Sequence, residues 1–154
     1  MDNQGPEIEE VFPDFDYVTL AGNQVSLSSF SDKVVVINVW FVGCTGCKQE
    51  EPTLKKITDK YKDRDDVVFL AFAMSNPNKI EKYLQKNGDY GYQQISLTRQ
   101  EVKEKFGVII SPSHFVIKDG ILLSKFIGTP LIPYTSGLDL FQEGIGKAVK
   151  GINH

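Results

Sequence analysis

The sequence predicts an α/β domain with a central mixed sheet flanked by helices. Apolar, β-branched runs typical of buried strands alternate with stretches in which apolar residues recur every three or four positions. Such alternation is typical of parallel strands joined by helical crossovers. Near the end, residues 118–120 form a Lys-Asp-Gly turn between two apolar runs, which adds an antiparallel hairpin to the sheet.

The sequence pattern of the N-terminal part predicts a further hairpin, which precedes this sheet in the chain. Residues 1–10 are polar and acidic, and we expect them to form a flexible lead-in to a single domain at residues 11–154. Residues 15–20 and 24–27 flank an Ala-Gly-Asn turn, which is the pattern of a β-hairpin. A short turn then leads into an apolar strand at residues 33–39.

Two helical crossovers follow that strand. The first helix follows the cysteine pair, and the second begins at Asn76 and Pro77. Each helix carries one apolar stripe, and a strand at residues 67–74 lies between them. The second helix ends at Asn87 and Gly88. The inward residues are predicted to be Leu54, Ile57 and Tyr61 in the first helix and Ile80, Tyr83 and Leu84 in the second.

The sequence pattern predicts two more helices in the C-terminal part of the chain. The first starts with the capping-box pair Thr98 and Glu101 and ends at Gly107. Ser136 is predicted to cap the second, whose buried side holds Leu138, Phe141, Ile145, Ala148 and Val149. The remaining segments are a strand at 93–97, the hairpin strands at 114–117 and 121–127, and a proline-containing loop at 129–135.

Composition and charge set aside two classes of function. The 154 residues carry a net charge of −3 with scattered basic residues, so nothing resembles a nucleic-acid footprint or a polybasic membrane patch. No run approaches the ~18 apolar residues of a membrane span, and the N-terminus is unlike a signal peptide. A chain of this length buries enough core to fold without disulfides, so its cysteines are free for chemistry.

Cys44 and Cys47 are predicted to lie where the buried strand meets the first crossover helix. The first N–H groups of a helix and its dipole stabilise a thiolate, which is the attacking form of a cysteine. Cys44 is therefore the predicted nucleophile. Cys47 lies one turn further along and can attack a mixed disulfide at Cys44, which leaves a Cys44–Cys47 bond. A C-x-x-C beside a βαβ pattern is a recognised redox signature.

Two other interpretations of the pair stay open. The cysteines could be merely buried, or they could bind a metal, although a zinc site needs further ligands and the only histidines are His114 and His154. We expect His154 to be disordered at the terminus and His114 to pack under a loop, outside the site. No metal site is predicted.

Several short motifs occur in order along the chain. They are Phe-Pro-Asp-Phe at 12–15, Gly-Asn-Gln-Val-Ser-Leu at 22–27, the apolar strand at 34–40, Cys44-x-x-Cys47-Lys48-x-Glu50-x-Pro52, Gly107-Val108, and Ser-Pro-Ser-His-Phe at 111–115. In this order and spacing the chain resembles the thioredoxin superfamily, and within it the TlpA- and ResA-type thiol:disulfide oxidoreductases, which share features with the AhpC/TSA peroxiredoxins. The resemblance implies a thioredoxin fold with an N-terminal β-hairpin extension and a βα insertion.

The resemblance also implies roles for single residues. Cys44 matches the nucleophilic cysteine of these proteins, and Cys47 matches the resolving one. Pro52 matches a helix-kinking proline. Pro112 matches a cis-proline that packs against the cysteine pair, and the backbone of Ser111 would hydrogen-bond to a bound peptide.

Glu50 matches a glutamate that lies near the cysteines in this branch of the superfamily. A carboxylate there would handle the proton of Cys47, because its own charge disfavours a neighbouring thiolate. Asn38 stands where thioredoxins carry a buried aspartate, which raises the weight on Glu50 as the acid–base group. The alternative is that Glu50 is a solvated charge on the helix surface.

The implied activity is thiol:disulfide exchange, with reduction of protein disulfides as the favoured direction and no bound cofactor. The implied partners are protein disulfide or thiol substrates, including apocytochrome c, and a membrane or thioredoxin-type electron donor. The implied location is extracytoplasmic, either periplasmic or membrane-anchored, with a cytoplasmic location as the alternative. One rival function is a thiol peroxidase of the AhpC/TSA type, which the missing P-x-x-x-T-x-x-C pattern disfavours. The other is a non-catalytic thioredoxin-like binding or metal-carrier module.

Overall fold

A computed structural model describes residues 4–152 of the protein, so residues 1–3 of the predicted lead-in and His154 lie outside it. The elements in chain order are β1 (Asp16–Val18), β2 (Gln24–Ser26), a short 3-10 helix (Ser28–Phe30), β3 (Val34–Trp40), α1 (Thr45–Tyr61), β4 (Val67–Ala73), α2 (Pro77–Asn87), β5 (Gln93–Ser96), α3 (Arg99–Phe106), β6 (Ser113–Lys118), β7 (Ile121–Ile127) and α4 (Ser136–Ile152). Among the helices of residues 4–152, none is both long and apolar enough to cross a membrane.

A five-stranded mixed sheet forms the centre of the fold, in the order β5-β4-β3-β6-β7. β3 pairs in parallel with β4, and β4 pairs in parallel with β5, as expected for strands joined by helical crossovers. On its other side β3 pairs antiparallel with β6, which forms a hairpin with β7. The β1–β2 hairpin is a separate two-stranded sheet. The predicted α/β class, with its N-terminal hairpin and additional βα unit, is confirmed.

Both faces of β3 are covered, which explains its unbroken apolar sequence. All 7 of its residues are buried. On one face, α1, α2 and α4 pack over side chains that include Val36 and Trp40. On the other face, the N-terminal hairpin and α3 pack over side chains that include Val35 and Ile37. The start of α1 is thereby fixed at the end of a strand that is held from both sides.

Residues 4–12 run beside the hairpin of β6 and β7. The N–H of Glu9 donates to the carbonyl of Leu122 at 2.7 Å, and the N–H of Phe12 donates to the carbonyl of Gly120 at 2.8 Å. These bonds satisfy backbone groups that an edge strand would otherwise leave unpaired. The division of the chain into a lead-in and one domain stays a prediction.

The helix starts follow the predicted capping with one exception. The predicted caps of α2 and α3 are present. The prediction of Ser136 as the cap of α4 is wrong by one residue, because the hydroxyl of Thr135 accepts a hydrogen bond from the N–H of Leu138 at 3.3 Å. A capping hydroxyl reaches the second or third N–H of the helix, so the helix begins one residue after Thr135.

Gly91 packs against α1 in a backbone conformation that favours glycine. Its φ is +94°, and a Cβ at this position would lie 2.2 Å from Thr58 Oγ1. The Thr58 hydroxyl donates a hydrogen bond to the carbonyl of Tyr90 at 2.9 Å, which holds it in place. Gly88 has nearly the same φ, +95°, but nothing lies within 4 Å of a Cβ there. An alanine at Gly88 would therefore add backbone strain alone, whereas an alanine at Gly91 would add both backbone strain and a steric clash.

We expect Gly91→Ala to lower the free energy of unfolding by about 1–3 kcal/mol more than Gly88→Ala, because only Gly91→Ala adds overpacking to the strain. Urea unfolding followed by circular dichroism measures both variants. Equal losses would contradict the prediction, since Thr58 would then have moved aside at no cost.

Candidate active site

Cys44 lies between β3 and α1 and is the N-cap of that helix. Its Sγ accepts a hydrogen bond from the N–H of Cys47 at 3.2 Å. The sulfur therefore occupies the position in which a capping oxygen normally satisfies a free helix N–H. This position favours negative charge and so stabilises a thiolate. The predicted location of Cys44, at the junction of a buried strand and a helix, is confirmed.

A disulfide joins Cys44 to Cys47, with the two Cα atoms 5.3 Å apart. That separation is ordinary for a disulfide. Cys44 is 9% exposed and Cys47 is 3% exposed, which makes Cys44 the more accessible residue of the pair. Within residues 4–152, no three or more His, Cys, Asp or Glu side chains come together in a group that could hold a metal ion.

Pro112 lies against the cysteine turn because β6 runs antiparallel to β3. Ser113 is the register partner of Val39, so the start of β6 meets the end of β3. The Ser111–Pro112 peptide bond is cis, as predicted. A Cβ on Gly46 would lie 3.3 Å from Pro112 Cδ, so the proline ring is in contact with the residues between the cysteines.

Pro130 packs against the same turn, and sequence reasoning missed it. A Cβ on Gly46 would lie only 2.9 Å from Pro130 Cγ. Pro130 belongs to the loop between β7 and α4, and no local pattern indicates that this loop folds back over the start of α1. The two prolines leave room for glycine but not for a side chain at Gly46.

Ser111 precedes the cis bond. Its hydroxyl is buried and has no hydrogen-bond partner in the part of the chain that the structure describes. Its backbone N–H and C=O also make no hydrogen bond to another backbone group of residues 4–152. Such backbone groups beside a reactive cysteine can pair with an extended peptide.

Glu50 lies on the buried side of α1, one turn after Cys47, and its side chain is fully buried. Its Oε2 accepts a hydrogen bond from the N–H of Leu131 at 2.8 Å. His114 Nε2 lies 2.9 Å from Glu50 Oε1 and 3.0 Å from Oε2. The alternative interpretation of Glu50 as a solvated surface charge is therefore wrong. The structure tolerates this buried carboxyl group because it is hydrogen-bonded.

His114 is the partner of Glu50 that sequence reasoning missed. The sequence predicts that it packs under a loop, outside the site. Its side chain is fully buried, with its ring 5.2 Å from that of Phe141, and the ring also contacts the Glu50 carboxyl. That contact depends on β6 pairing with β3 and on α1 packing over the same face of the sheet. No pattern near residue 114 indicates either arrangement.

Buried hydrogen bonds hold the end of β3. Trp40 is a core residue, and its indole N–H donates to Gln94 Oε1 at 2.9 Å. Asn38 Nδ2 donates to the hydroxyl of Tyr90 at 3.1 Å. Burial raises the pKa of the Tyr90 phenol, so this hydroxyl stays neutral. These contacts fix the strand that carries the cysteine turn.

A cavity of about 550 Å³ opens beside Cys44, between the start of α1 and α2. Tyr83 lies in its wall and donates a hydrogen bond from its hydroxyl to Glu51 Oε2 at 2.6 Å. Burial raises the pKa of the Glu51 carboxyl, while the Tyr83 hydrogen bond and the charge of Lys48 oppose that shift. The charged residues that line the cavity are Lys48, Lys79, Lys82 and Lys86.

Several known proteins are similar to this chain. The thioredoxin-like protein YneN of Bacillus subtilis is 28% identical over 120 residues, which cover 76% of this chain and 69% of YneN. The thiol-disulfide oxidoreductase ResA of Geobacillus kaustophilus is 28% identical over 119 residues, which cover 76% of this chain and 67% of ResA. A solved structure of a thiol:disulfide interchange protein of the thioredoxin family from Chlorobium tepidum superposes with a TM-score of 0.71 at 21% identity, covering 93% of this chain and 98% of that one. The fold is the predicted thioredoxin fold.

The model of the AhpC/TSA family matches residues 8–125. The matched region runs from the N-terminal hairpin through the cysteine turn and the cis-proline into β7. It therefore contains the strands and the helix that bring the site together. By this match, and by its thioredoxin fold, the chain belongs to the AhpC/TSA family of the thioredoxin superfamily.

Proposed function

We propose that the protein reduces the disulfides of other proteins through Cys44 and Cys47. The chain is a thiol:disulfide oxidoreductase of the thioredoxin type. The observation that carries the proposal is the disulfide at the start of α1, in which the sulfur of the cap residue Cys44 is bonded to Cys47 in the first turn. A cysteine at this position is activated for attack, and its neighbour is within bonding distance for the second step.

Exchange takes place in two displacement steps. The Cys44 thiolate attacks one sulfur of the partner's disulfide, which forms a mixed disulfide and releases the partner's other sulfur as a thiolate. Cys47 then loses its proton and attacks the Cys44 sulfur, which forms the Cys44–Cys47 disulfide and releases the second thiolate of the partner. The partner gains two electrons, and its thiolates take up protons from the surroundings, while the enzyme is oxidised.

Glu50 is proposed to accept the proton of Cys47 in the second step. Side chains three positions apart are neighbours on a helix, and both residues lie on the buried side of α1. Proton transfer between the two side chains would take place through a direct hydrogen bond or one bridging water molecule. His114 and the Leu131 N–H hold the carboxyl group in place, so we assign His114 a positioning role.

Ser111 and Pro112 are proposed to bind the partner's chain. The backbone groups of Ser111, which make no hydrogen bond to another backbone group of residues 4–152, would pair with the segment that carries the disulfide, in the manner of an added strand. Pro112 lines the cysteine turn and would align that segment with Cys44.

The reducing direction rests on the resemblance to ResA-type proteins. The substrates are protein thiols and disulfides. Apocytochrome c as a substrate, a membrane or thioredoxin-type protein as the donor, and an extracytoplasmic location are parts of the proposal that rest on the resemblance.

The proposed function is tested by following the reduction of oxidised insulin by dithiothreitol with and without the protein. The protein should accelerate the reaction, and a Cys44→Ser/Cys47→Ser variant should not. Absence of acceleration would contradict the proposal. Steady consumption of hydroperoxide would instead favour the thiol peroxidase, and stoichiometric zinc or copper without disulfide turnover would favour the metal-carrier module.

A further inference from the structure

All the charged side chains that line the cavity beside Cys44 are lysines. Lys48 reaches it from α1, and α2 contributes the other lysines, at positions that share one side of that helix. No acidic side chain is among the residues that line it. Glu81, the acidic residue within α2, lines a different depression on the surface. The lysines from α2 are Lys79, Lys82 and Lys86.

The positive charge of the cavity is opposite in sign to the net charge of the whole chain. The protein has 17 basic and 20 acidic residues, a net charge of −3. Two lysines on other helices pair with a carboxylate one helical turn away, Lys55 with Asp59 and Lys147 with Glu143. In the described residues, none of the lysines that line the cavity has a carboxylate oxygen within 4.0 Å of its ammonium group.

The same cavity exposes the sulfur that starts the reaction. Cys44 and Tyr83 lie in its wall, so it offers an aromatic surface as well as charge. Its volume of about 550 Å³ lies in the range of roughly 300–1,000 Å³ that ligand sites occupy. A group of like charges in a concave site attracts segments of opposite charge and raises their rate of association.

We propose that this lysine-lined cavity binds an acidic segment next to the disulfide that Cys44 attacks. The inference rests on the proposed function and adds the chemistry of the substrate to it. Carboxylates of the partner's chain would pair with the lysines of α2 while its disulfide lies at Cys44. The exchange itself is the two-step displacement given above, and no further reactant is needed.

The test uses three synthetic peptides that carry the same disulfide loop, flanked by glutamates, by glutamines or by lysines. The reduced protein is mixed with each peptide, and free peptide thiols are counted over time. Each rate is divided by the rate with dithiothreitol, a small reductant that also attacks as a thiolate, which removes the effect of the flanking charges on the disulfide itself. At low salt the glutamate peptide should react at least tenfold faster than the glutamine peptide, and the lysine peptide slowest. At 1 M salt the differences should largely disappear.

Two double variants test whether the lysines of α2 cause the preference for the glutamate peptide. Lys79→Gln/Lys82→Gln should lower the ratio of glutamate-peptide to glutamine-peptide rates towards one. The control Lys103→Gln/Lys105→Gln removes the same charge from α3, across the sheet from the cavity, and should keep the ratio. Neither pair includes Lys48, because Lys48 lies next to the cysteines and its replacement would change the stability of the Cys44 thiolate.

The outcomes separate this proposal from the proposed function. Equal rates for all three peptides, or equal loss of preference in both paired variants, would overturn the acidic-segment proposal and leave disulfide reduction standing. Failure to reduce any of the peptides would overturn both.

Discussion

Replacing Cys47 by serine is expected to leave the protein joined to its partners in mixed disulfides through Cys44. The first displacement needs only the Cys44 thiolate, which the start of α1 still stabilises. The second displacement needs a sulfur at position 47, and a serine hydroxyl cannot supply it. Mass spectrometry of non-reduced samples, incubated with an oxidised protein, should find at least tenfold more adduct than for the wild-type protein.

The matched control is Cys44→Ser. It leaves Cys47, which is 3% exposed, as the remaining thiol, so few adducts should form. Comparable trapping by both variants would contradict the assignment of Cys44 as the attacking cysteine.

Replacing Glu50 by glutamine is expected to prolong the life of the mixed disulfide by about 100-fold, the lower end of the usual contribution of a positioned acid–base group. An amide has nearly the same shape and still accepts the hydrogen bond from the Leu131 N–H, but it does not take a proton from Cys47. The pH dependence of the exchange rate should change with it. Rapid acid quenching followed by mass spectrometry measures how long the adduct persists at each pH.

Glu51→Gln is the control for charge. It makes the same chemical change one residue later, at a half-buried side chain that contacts Tyr83 instead of His114. Its adduct lifetime should match that of the wild-type protein. If Glu50→Gln behaves as Glu51→Gln does, with an unchanged pH profile, Glu50 has only a structural role.

A variant at His114 separates positioning from proton transfer. His114→Gln leaves the carboxyl group of Glu50 in place but changes the partner that holds it. We expect the adduct lifetime to increase less than in Glu50→Gln, with a changed pH profile, because the base is present but less well oriented. A melting curve for each variant shows whether the fold itself has been lost. A wild-type lifetime and pH profile would contradict the positioning role.

The elements with a strong local signal could be predicted from the sequence. The apolar run of β3 indicates a strand covered on both faces, and the hydrophobic clusters on its two sides bear this out. The position of Cys44 at the start of α1 also follows from local sequence, because it depends only on where the strand ends and the helix stripe begins.

The contacts that shape the site depend on tertiary structure and were beyond local reasoning. Glu50 and His114 are 64 positions apart and meet only because β6 pairs with β3 beneath α1. Pro130 reaches Gly46 through a loop whose path no residue pattern specifies. The cavity beside Cys44 likewise arises from how α2 lies against α1, so lysines that look like ordinary surface residues in the sequence come to line one site.

The reduction potential of the Cys44–Cys47 couple tests the central claim most directly. The protein is equilibrated in graded thiol–disulfide buffers, and its free thiols are counted at each ratio. We predict a value near or below about −250 mV, on the thioredoxin side of the known range, as a reductant of protein disulfides requires. A value near about −120 mV would mark a strong oxidant and contradict the reducing direction. If no intramolecular disulfide formed at any ratio, the exchange mechanism itself would be contradicted.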